Sequence, residues 1–88
     1  MEKEEIERKI REIVFEELGL GAGTSLEHQT RFIEDLNADK CDIANIATEL
    51  EDEFDIDLTD NHIIKELETF GSAVDHVFKV VTEKKEEE

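Results

Sequence analysis

The segment Asp39–Asp42, which reads D-K-C-D, is the strongest candidate for chemistry in this chain. A lysine amine is a cationic hydrogen-bond donor, and a cysteine thiol can act as a nucleophile or a metal ligand. Catalysis by the thiol would need a base nearby, yet the three histidines, His28, His62 and His76, are far apart in sequence. Their spacing is not that of metal ligands, and no glycine loop of the phosphate-binding type is present. We therefore predict no catalytic site and no metal site, and we expect surface or half-buried histidines.

Two acidic segments begin like calcium-binding loops. Asp35–Asp39 reads D-L-N-A-D, and Asp55–Thr59 reads D-I-D-L-T. An EF-hand needs glycine at its sixth position and glutamate at its twelfth. The first segment has lysine and isoleucine at those positions, and the second has aspartate and then Glu66. We predict no EF-hand, and at most weak, non-selective association of cations with the acids.

Net charge restricts the partners. The 88 residues include 26 acids and 10 lysines and arginines, which gives a formal net charge of −16. This charge disfavours binding to nucleic acids and to anionic membranes, and it favours binding to basic proteins. The attraction to a basic protein acts over long range and weakens as salt is added. The amino terminus is charged and leads into a helical pattern rather than a signal peptide, and no apolar run is long enough to span a membrane. We expect one small domain that is cytoplasmic, monomeric and not inserted in membranes.

The first elements are a helix and a long connection. A helix is predicted from about Lys3 to Leu18, with Gly19 as its C-cap and Phe15 off the centre of the apolar face. Its apolar stripe consists of Ile6, Ile10, Ile13, Val14 and Leu18. Glycines and polar residues then predict a connection without regular structure from Gly19 to about Ala38. Five apolar residues are expected to pin it to the core: Leu20, Leu26, Phe32, Ile33 and Leu36.

A second main helix is predicted to begin after Asp39, an N-cap residue, with Asp42 at its third position. Its buried face is expected to consist of Ile43, Ile46, Leu50 and Phe54. An extended link over Asp55–Leu58 and a short helix over Thr59–Glu66 follow, the latter burying Ile63 or Ile64. The last helix begins at about Thr69, with an apolar stripe of Phe70, Ala73, Val74, Val77 and Val81. The predicted fold is all-α, with a domain over residues 1–82 and a charged, frayed tail over residues 83–88.

One segment has a recognisable pattern. Phe32–Asp42 reads F-I-E-D-L-N-A-D-K-C-D and resembles the acyl carrier protein signature, roughly F-x-E-D-L-G-A-D-S-L-D. Four further blocks resemble the family in its order and at nearly its spacing: Leu18–Leu20, Leu50–Asp55, Leu58–Asp60 and Thr69–Val74. The resemblance implies an acyl-carrier-like four-helix bundle of three main helices and one short helix, with a long loop between the first two main helices.

The resemblance also implies a missing function. In the family, a serine carries the 4′-phosphopantetheine arm that holds acyl groups, and this chain has Lys40 at that position. Cys41 follows one residue later, which rotates it by about 100° around the helix, so it is not a substitute attachment site. We interpret Cys41 as a small, semi-exposed apolar residue and expect no cofactor on this chain. We expect Lys40 to pair with Asp39 or with glutamates nearby, for little net stability at an exposed site.

The exposed side of the second main helix differs from the family as well. There, the resemblance aligns the family's leucine, valine, glutamate and methionine with Cys41, Ala44, Asn45 and Thr48. The acids nearby are either a solvated helix face or a docking surface for lysines and arginines of a partner, and the sequence leaves both open. The predicted partner-binding residues are Asp39, Lys40, Cys41, Asp42, Ala44, Asn45, Thr48, Glu51 and Asp52.

Three hypotheses follow for function. The first is a carrier-family protein of fatty-acid or related acyl metabolism that works without the arm, by protein binding, with acyl-pathway enzymes among the candidate partners. The second is a genuine carrier, with Lys40 an altered attachment site or a laboratory change, or a protein that holds a free acyl chain. Such a chain would lie in a cavity lined by Ile46, Leu50, Phe54, Ile63 and Val74. The third is an unrelated acidic interaction module. None of the three is an enzyme.

Overall fold

Helices account for all the regular structure in the part of the chain that the computed structural model describes, residues 2–21, 23–58 and 67–86. They are α1 (Lys3–Leu18), α2 (Phe32–Leu36), α3 (Lys40–Phe54) and α4 (Phe70–Glu86). An isolated antiparallel bridge joins Arg31 to Thr69. The predicted all-α class is therefore confirmed for these residues. The short helix predicted over Thr59–Glu66 lies outside them.

Helix α1 has the predicted bounds because its apolar residues recur at helical spacing. Ile6, Ile10 and Val14 are fully buried, while the other two residues of the predicted stripe, and Phe15, are half-buried. Gly19 ends the helix in the left-handed conformation with φ +61°, as is common for a glycine C-cap. The predicted C-cap is confirmed, and it turns the chain into the long connection.

The connection after α1 is not wholly irregular, so the prediction of an unstructured segment over Gly19–Ala38 was wrong at its end. The short helix α2 begins where the Asp35 carboxylate accepts a hydrogen bond from the Arg31 amide at 2.8 Å. It ends at Asn37, which has φ +59°. A single turn of five residues is too short to produce a detectable apolar period, although Asp35 and Asn37 suit a helix start and stop.

Apolar residues of the connection contact the core, with one exception. Leu26 and Phe32 are buried, and Leu20 and Leu36 pack against the same cluster. Ile33, by contrast, is 45% exposed, so the prediction that it pins the connection was wrong. The reason is geometric, since residues four apart share a helix face and the residue after Phe32 is rotated towards solvent.

The connection is also held to the start of α4 by backbone hydrogen bonds. The Phe32 amide donates to Glu68 O at 3.1 Å, the Phe70 amide to Thr30 O at 2.9 Å, and the Gly71 amide to His28 O at 2.8 Å. A β-carbon on Gly71 would lie 2.8 Å from the same His28 oxygen. The absence of a side chain at residue 71 is therefore what permits this close approach.

The long helices form one apolar core. Helix α1 packs against both α3 and α4. All the apolar residues predicted for the buried face of α3 are buried, as are the first four residues of the predicted α4 stripe. Val81 is only half-buried. Helix α4 continues through Glu86, so the predicted tail begins within a helix, and its fraying stays a prediction. The buried core side chains of the described residues, all apolar, are Ile6, Ile10, Val14, Leu26, Phe32, Ala38, Ile43, Ile46, Ala47, Leu50, Phe54, Leu58, Leu67, Phe70, Ala73, Val74 and Val77.

Candidate partner-binding surface on α3

The start of α3 is fixed by a reciprocal pair of aspartates. The Asp42 amide donates to the Asp39 carboxylate at 2.9 Å, and the Asp39 amide donates to the Asp42 carboxylate at 3.1 Å. Both carboxylates thereby satisfy backbone amides that the helix leaves unpaired and oppose the positive end of its dipole. The predicted N-cap at Asp39 is confirmed, and its carboxylate is committed to α3 itself.

Lys40 and Cys41 project from this first turn into solvent. Both residues are exposed, so the prediction of a semi-exposed cysteine understated its exposure. Lys40 forms no ion pair with any residue that the structure describes. The predicted pairing with Asp39 or with glutamates nearby is therefore wrong among the described residues, and the Asp39 carboxylate accepts from the amide of Asp42 instead. The Lys40 amine remains available to an external group.

The outer face of α3, which we define as Cys41, Ala44, Asn45, Thr48 and Asp52, lies opposite the buried face. All five of these residues are exposed. At about 100° per residue they fall within roughly a third of the helix circumference. The Thr48 hydroxyl donates to Ala44 O at 3.0 Å, which turns its hydrogen back towards the helix. The structure thus brings together five of the predicted partner-binding residues as a small, mostly polar strip.

Glu51 differs from the other predicted partner-binding residues. It is half-buried, and its carboxylate accepts a hydrogen bond from the Leu58 amide at 3.2 Å. The Glu51 carbonyl also accepts from the Ile56 amide at 3.1 Å. Glu51 therefore holds the segment after α3 in place, a role that its position in the sequence did not indicate. Asp55, the first residue of that segment, has φ +53°, so the prediction of an extended link over Asp55–Leu58 was wrong at its start.

The residues predicted to line an acyl cavity are core residues. Ile46, Leu50 and Val74 are at most 1% exposed, and Phe54 is 8% exposed. All four belong to the single cluster of buried side chains. Ile63, the fifth, lies outside the described residues. A free acyl chain between the helices would have to displace these packed side chains.

Sequence reasoning missed a groove between α1 and α3. This acidic groove has a volume of about 300 Å³ and is lined by Lys9, Glu12, Ile13, Glu16, Glu49, Asp52 and Glu53. Lys9 and Glu53 form an ion pair across it at 3.0 Å, and the hydrogen bond to Glu53 raises the pKa of Lys9. The groove depends on how two helices pack, which no periodicity within one helix reveals.

A second groove shares Glu12 and Glu16 with the first. This apolar groove has a volume of about 440 Å³ and is lined by Arg11, Glu12, Phe15, Glu16 and Leu20. Its two apolar residues, Phe15 and Leu20, are half-buried. The one sequence signal for it is the position of Phe15 off the centre of the α1 stripe, which exposes part of an aromatic ring.

The described residues contain no cluster of three or more histidines, cysteines or acids placed to hold a metal ion. None of their helices is long and apolar enough to cross a membrane. His28 is exposed and bonded to Glu7, and His76 is half-buried, as predicted; His62 lies outside the described residues. No protein-family model matches the chain.

Proposed function

We propose that this chain is an acyl-carrier-like protein that carries no phosphopantetheine arm and acts by binding a basic protein partner through the outer face of α3. The fold would be a four-helix bundle of the carrier type. The pathway would be fatty-acid or related acyl metabolism, as the resemblance implies. No covalent chemistry takes place on the chain itself.

The order of the helices supports this proposal. A long helix, a long connection with one short turn, a second long helix and a final long helix follow one another. The segment that resembles the carrier signature covers α2 and the first turn of α3. Lys40, which the resemblance aligns with the family's attachment serine, follows the capping aspartate directly and lies at an exposed corner.

The observation that carries the proposal is the exposed amine of Lys40 at that corner. Attachment of the arm requires a hydroxyl to attack the β-phosphate of coenzyme A, and the product is a phosphodiester. An amine in its place would have to form a phosphoramidate, and its cationic form has no lone pair with which to attack. The neighbouring thiol of Cys41 lies about 100° away around α3.

The altered outer face supports binding of a different partner. It presents Cys41, Ala44 and Thr48 in place of the apolar leucine, valine and methionine that the resemblance would lead one to expect, and Asn45 in place of a glutamate. A few such anchors usually dominate the affinity of an interface. With a net charge of −16, complementary charge on the partner would supply attraction and orientation instead.

The test uses the full chain and a Lys40→Ser variant, each incubated with coenzyme A and a broad-specificity phosphopantetheinyl transferase. Intact mass spectrometry then measures addition of one arm. We expect no arm on the unaltered chain. An arm on the variant alone would show that only the hydroxyl is missing and that the recognition surface persists. An arm on the unaltered chain would refute the proposal, and peptide mapping would then locate the attachment residue.

A further inference from the structure

Glu12 and Glu16 form a ridge on α1 between the two grooves described above. Both residues line the apolar groove and the acidic groove. They are four residues apart on one helix, which places them on the same face with an axial separation of about 6 Å. A group bound over this ridge would therefore contact an apolar surface on one side and an acidic surface on the other.

The charges around the ridge are largely uncompensated. Lys9 is paired with Glu53, and Arg11 donates to Leu26 O at 2.8 Å and lies over the Phe70 ring at 5.0 Å. Within the described part of the chain, four acids that line the two grooves have no ion-pair partner. These are Glu12, Glu16, Glu49 and Asp52. The ridge thus presents an excess of negative charge beside an apolar depression.

We propose that this ridge is a second docking site, which binds a basic helical segment of a partner protein. One leucine-like side chain of the segment fills the apolar groove against Phe15 and Leu20. A lysine or arginine one helical turn away enters the acidic groove beside Glu49 and Asp52, since residues three or four apart share a helix face. A second copy of this chain is the wrong occupant, because two chains that each carry a net charge of −16 repel one another.

This site goes beyond the proposed outer face of α3, with which it shares only Asp52. With the ridge and the outer face of α3, the chain would contact one partner at two places or two partners at one place each. Both proposals require a basic partner, so the test must show where a basic segment binds as well as whether it binds.

The probe is a fluorescein-labelled helical peptide of alanine and lysine with one central leucine, titrated by fluorescence anisotropy at about 0.15 M salt. Two double variants of the chain each remove two negative charges. E12Q/E16Q changes the ridge, and E68Q/E83Q is the matched control. Glu68 and Glu83 are exposed and line neither groove. We expect the ridge variant to bind roughly fivefold more weakly and the matched variant to change by less than about twofold. Replacing the central leucine of the peptide by serine should weaken binding about tenfold.

Amide chemical shifts measured during the same titration locate the bound peptide. We expect changes at Glu12–Leu20 and Glu49–Glu53. Equal losses in the two double variants, or no effect of the leucine, would overturn the proposal by showing non-specific attraction. Changes confined to Lys40–Thr48 would also overturn it, while leaving the outer face of α3 as the binding surface. Absence of binding would refute the site for this class of segment.

Discussion

Substitution of Gly71 by alanine tests the packing of the long connection against α4. A β-carbon at this position would lie 2.8 Å from the backbone oxygen of His28 and 3.1 Å from its Cβ. Both distances are shorter than ordinary van der Waals contact, and the obstructing oxygen belongs to the backbone. The connection would therefore have to move away from the start of α4, since no side-chain rotation relieves the contact.

Two opposing effects determine the magnitude. Alanine is a better helix former than glycine by up to about 1 kcal/mol. The displaced connection would lose the hydrogen bond from the Gly71 amide to His28 O, and then the bond from the Phe70 amide to Thr30 O. At about 0.5–1.5 kcal/mol each, their loss exceeds the helix-propensity gain once the steric contact is added. We expect Gly71→Ala to lower the free energy of unfolding by about 1–2 kcal/mol.

The assay is urea denaturation followed by circular dichroism, with stability compared at an unchanged slope of free energy against urea. Three other glycines serve as controls. No atom lies within 4 Å of a β-carbon built on Gly21 or Gly23, so alanine there should change stability by less than about 1 kcal/mol. Gly19 has free space but φ +61°, so its alanine variant should lose roughly 1 kcal/mol through backbone strain alone.

Hydrogen exchange separates the proposed cause from a general loss of stability. We expect the Phe70 and Gly71 amides to lose protection in Gly71→Ala beyond the loss shared by the core of α3. If Gly71→Ala is as stable as Gly21→Ala and those amides stay protected, the connection does not lie in close contact with the start of α4.

Four further predictions concern the cap, the charges and the core. Asp39→Ala should cost about 1 kcal/mol in thermal or urea unfolding because it removes the N-cap of α3, whereas Asp52→Ala on the outer face should cost less than about 0.5 kcal/mol. The hydrogen bond from His28 lowers the pKa of Glu7 from 4.5, so the Glu7 carboxylate stabilises the fold above that pH and loses this effect as the pH falls through the lowered value. Glu7→Gln should therefore lower the free energy of unfolding by less than about 1 kcal/mol near neutral pH and should not change it in strong acid. Urea unfolding of both proteins across this pH range measures the difference. Added sodium chloride should raise the melting temperature because it screens a net charge of −16, and a salt-independent melting temperature would contradict this. Fatty acid should leave the methyl NMR signals of core residues such as Leu50 unchanged, whereas shifted signals would favour the acyl-chain hypothesis.

The helical spacing of apolar residues predicted the three long helices because each has an apolar face that repeats over about three turns. It missed α2, whose five residues span little more than one turn. The hydrogen bonds that join Phe32 to Glu68 and Thr30 to Phe70 connect residues far apart in sequence. Such contacts depend on loop closure and packing, which local patterns do not encode.

The candidate surfaces likewise include features that follow from the sequence of one helix and features that depend on how the chain folds. The exposure of Ala44 and Thr48 follows from the position of Ile46 and Leu50 on one helix, so it could be predicted. The partnership of Glu51 with the Leu58 amide arises only when the chain folds back after α3. The ridge at Glu12 and Glu16 likewise requires the packing of α1 against α3.

Residues on the outer face of α3 and in its first turn can be replaced without much effect on the fold. The result of the Lys40→Ser experiment therefore reports recognition by the transferase rather than folding. The cap of α3 is formed by Asp39 and Asp42, while the buried residues lie on the opposite side of the helix. A cation in the first turn is disfavoured by the helix dipole by up to about 1 kcal/mol, and the two nearby carboxylates offset part of this. Lys40 is exposed and outside the core, so serine at residue 40 removes no buried side chain and no hydrogen bond seen among the described residues. Since the variant should fold like the unaltered chain, a failure to accept the arm would show that the transferase does not recognise this chain. Acceptance would place the functional difference in the side chain of residue 40 alone.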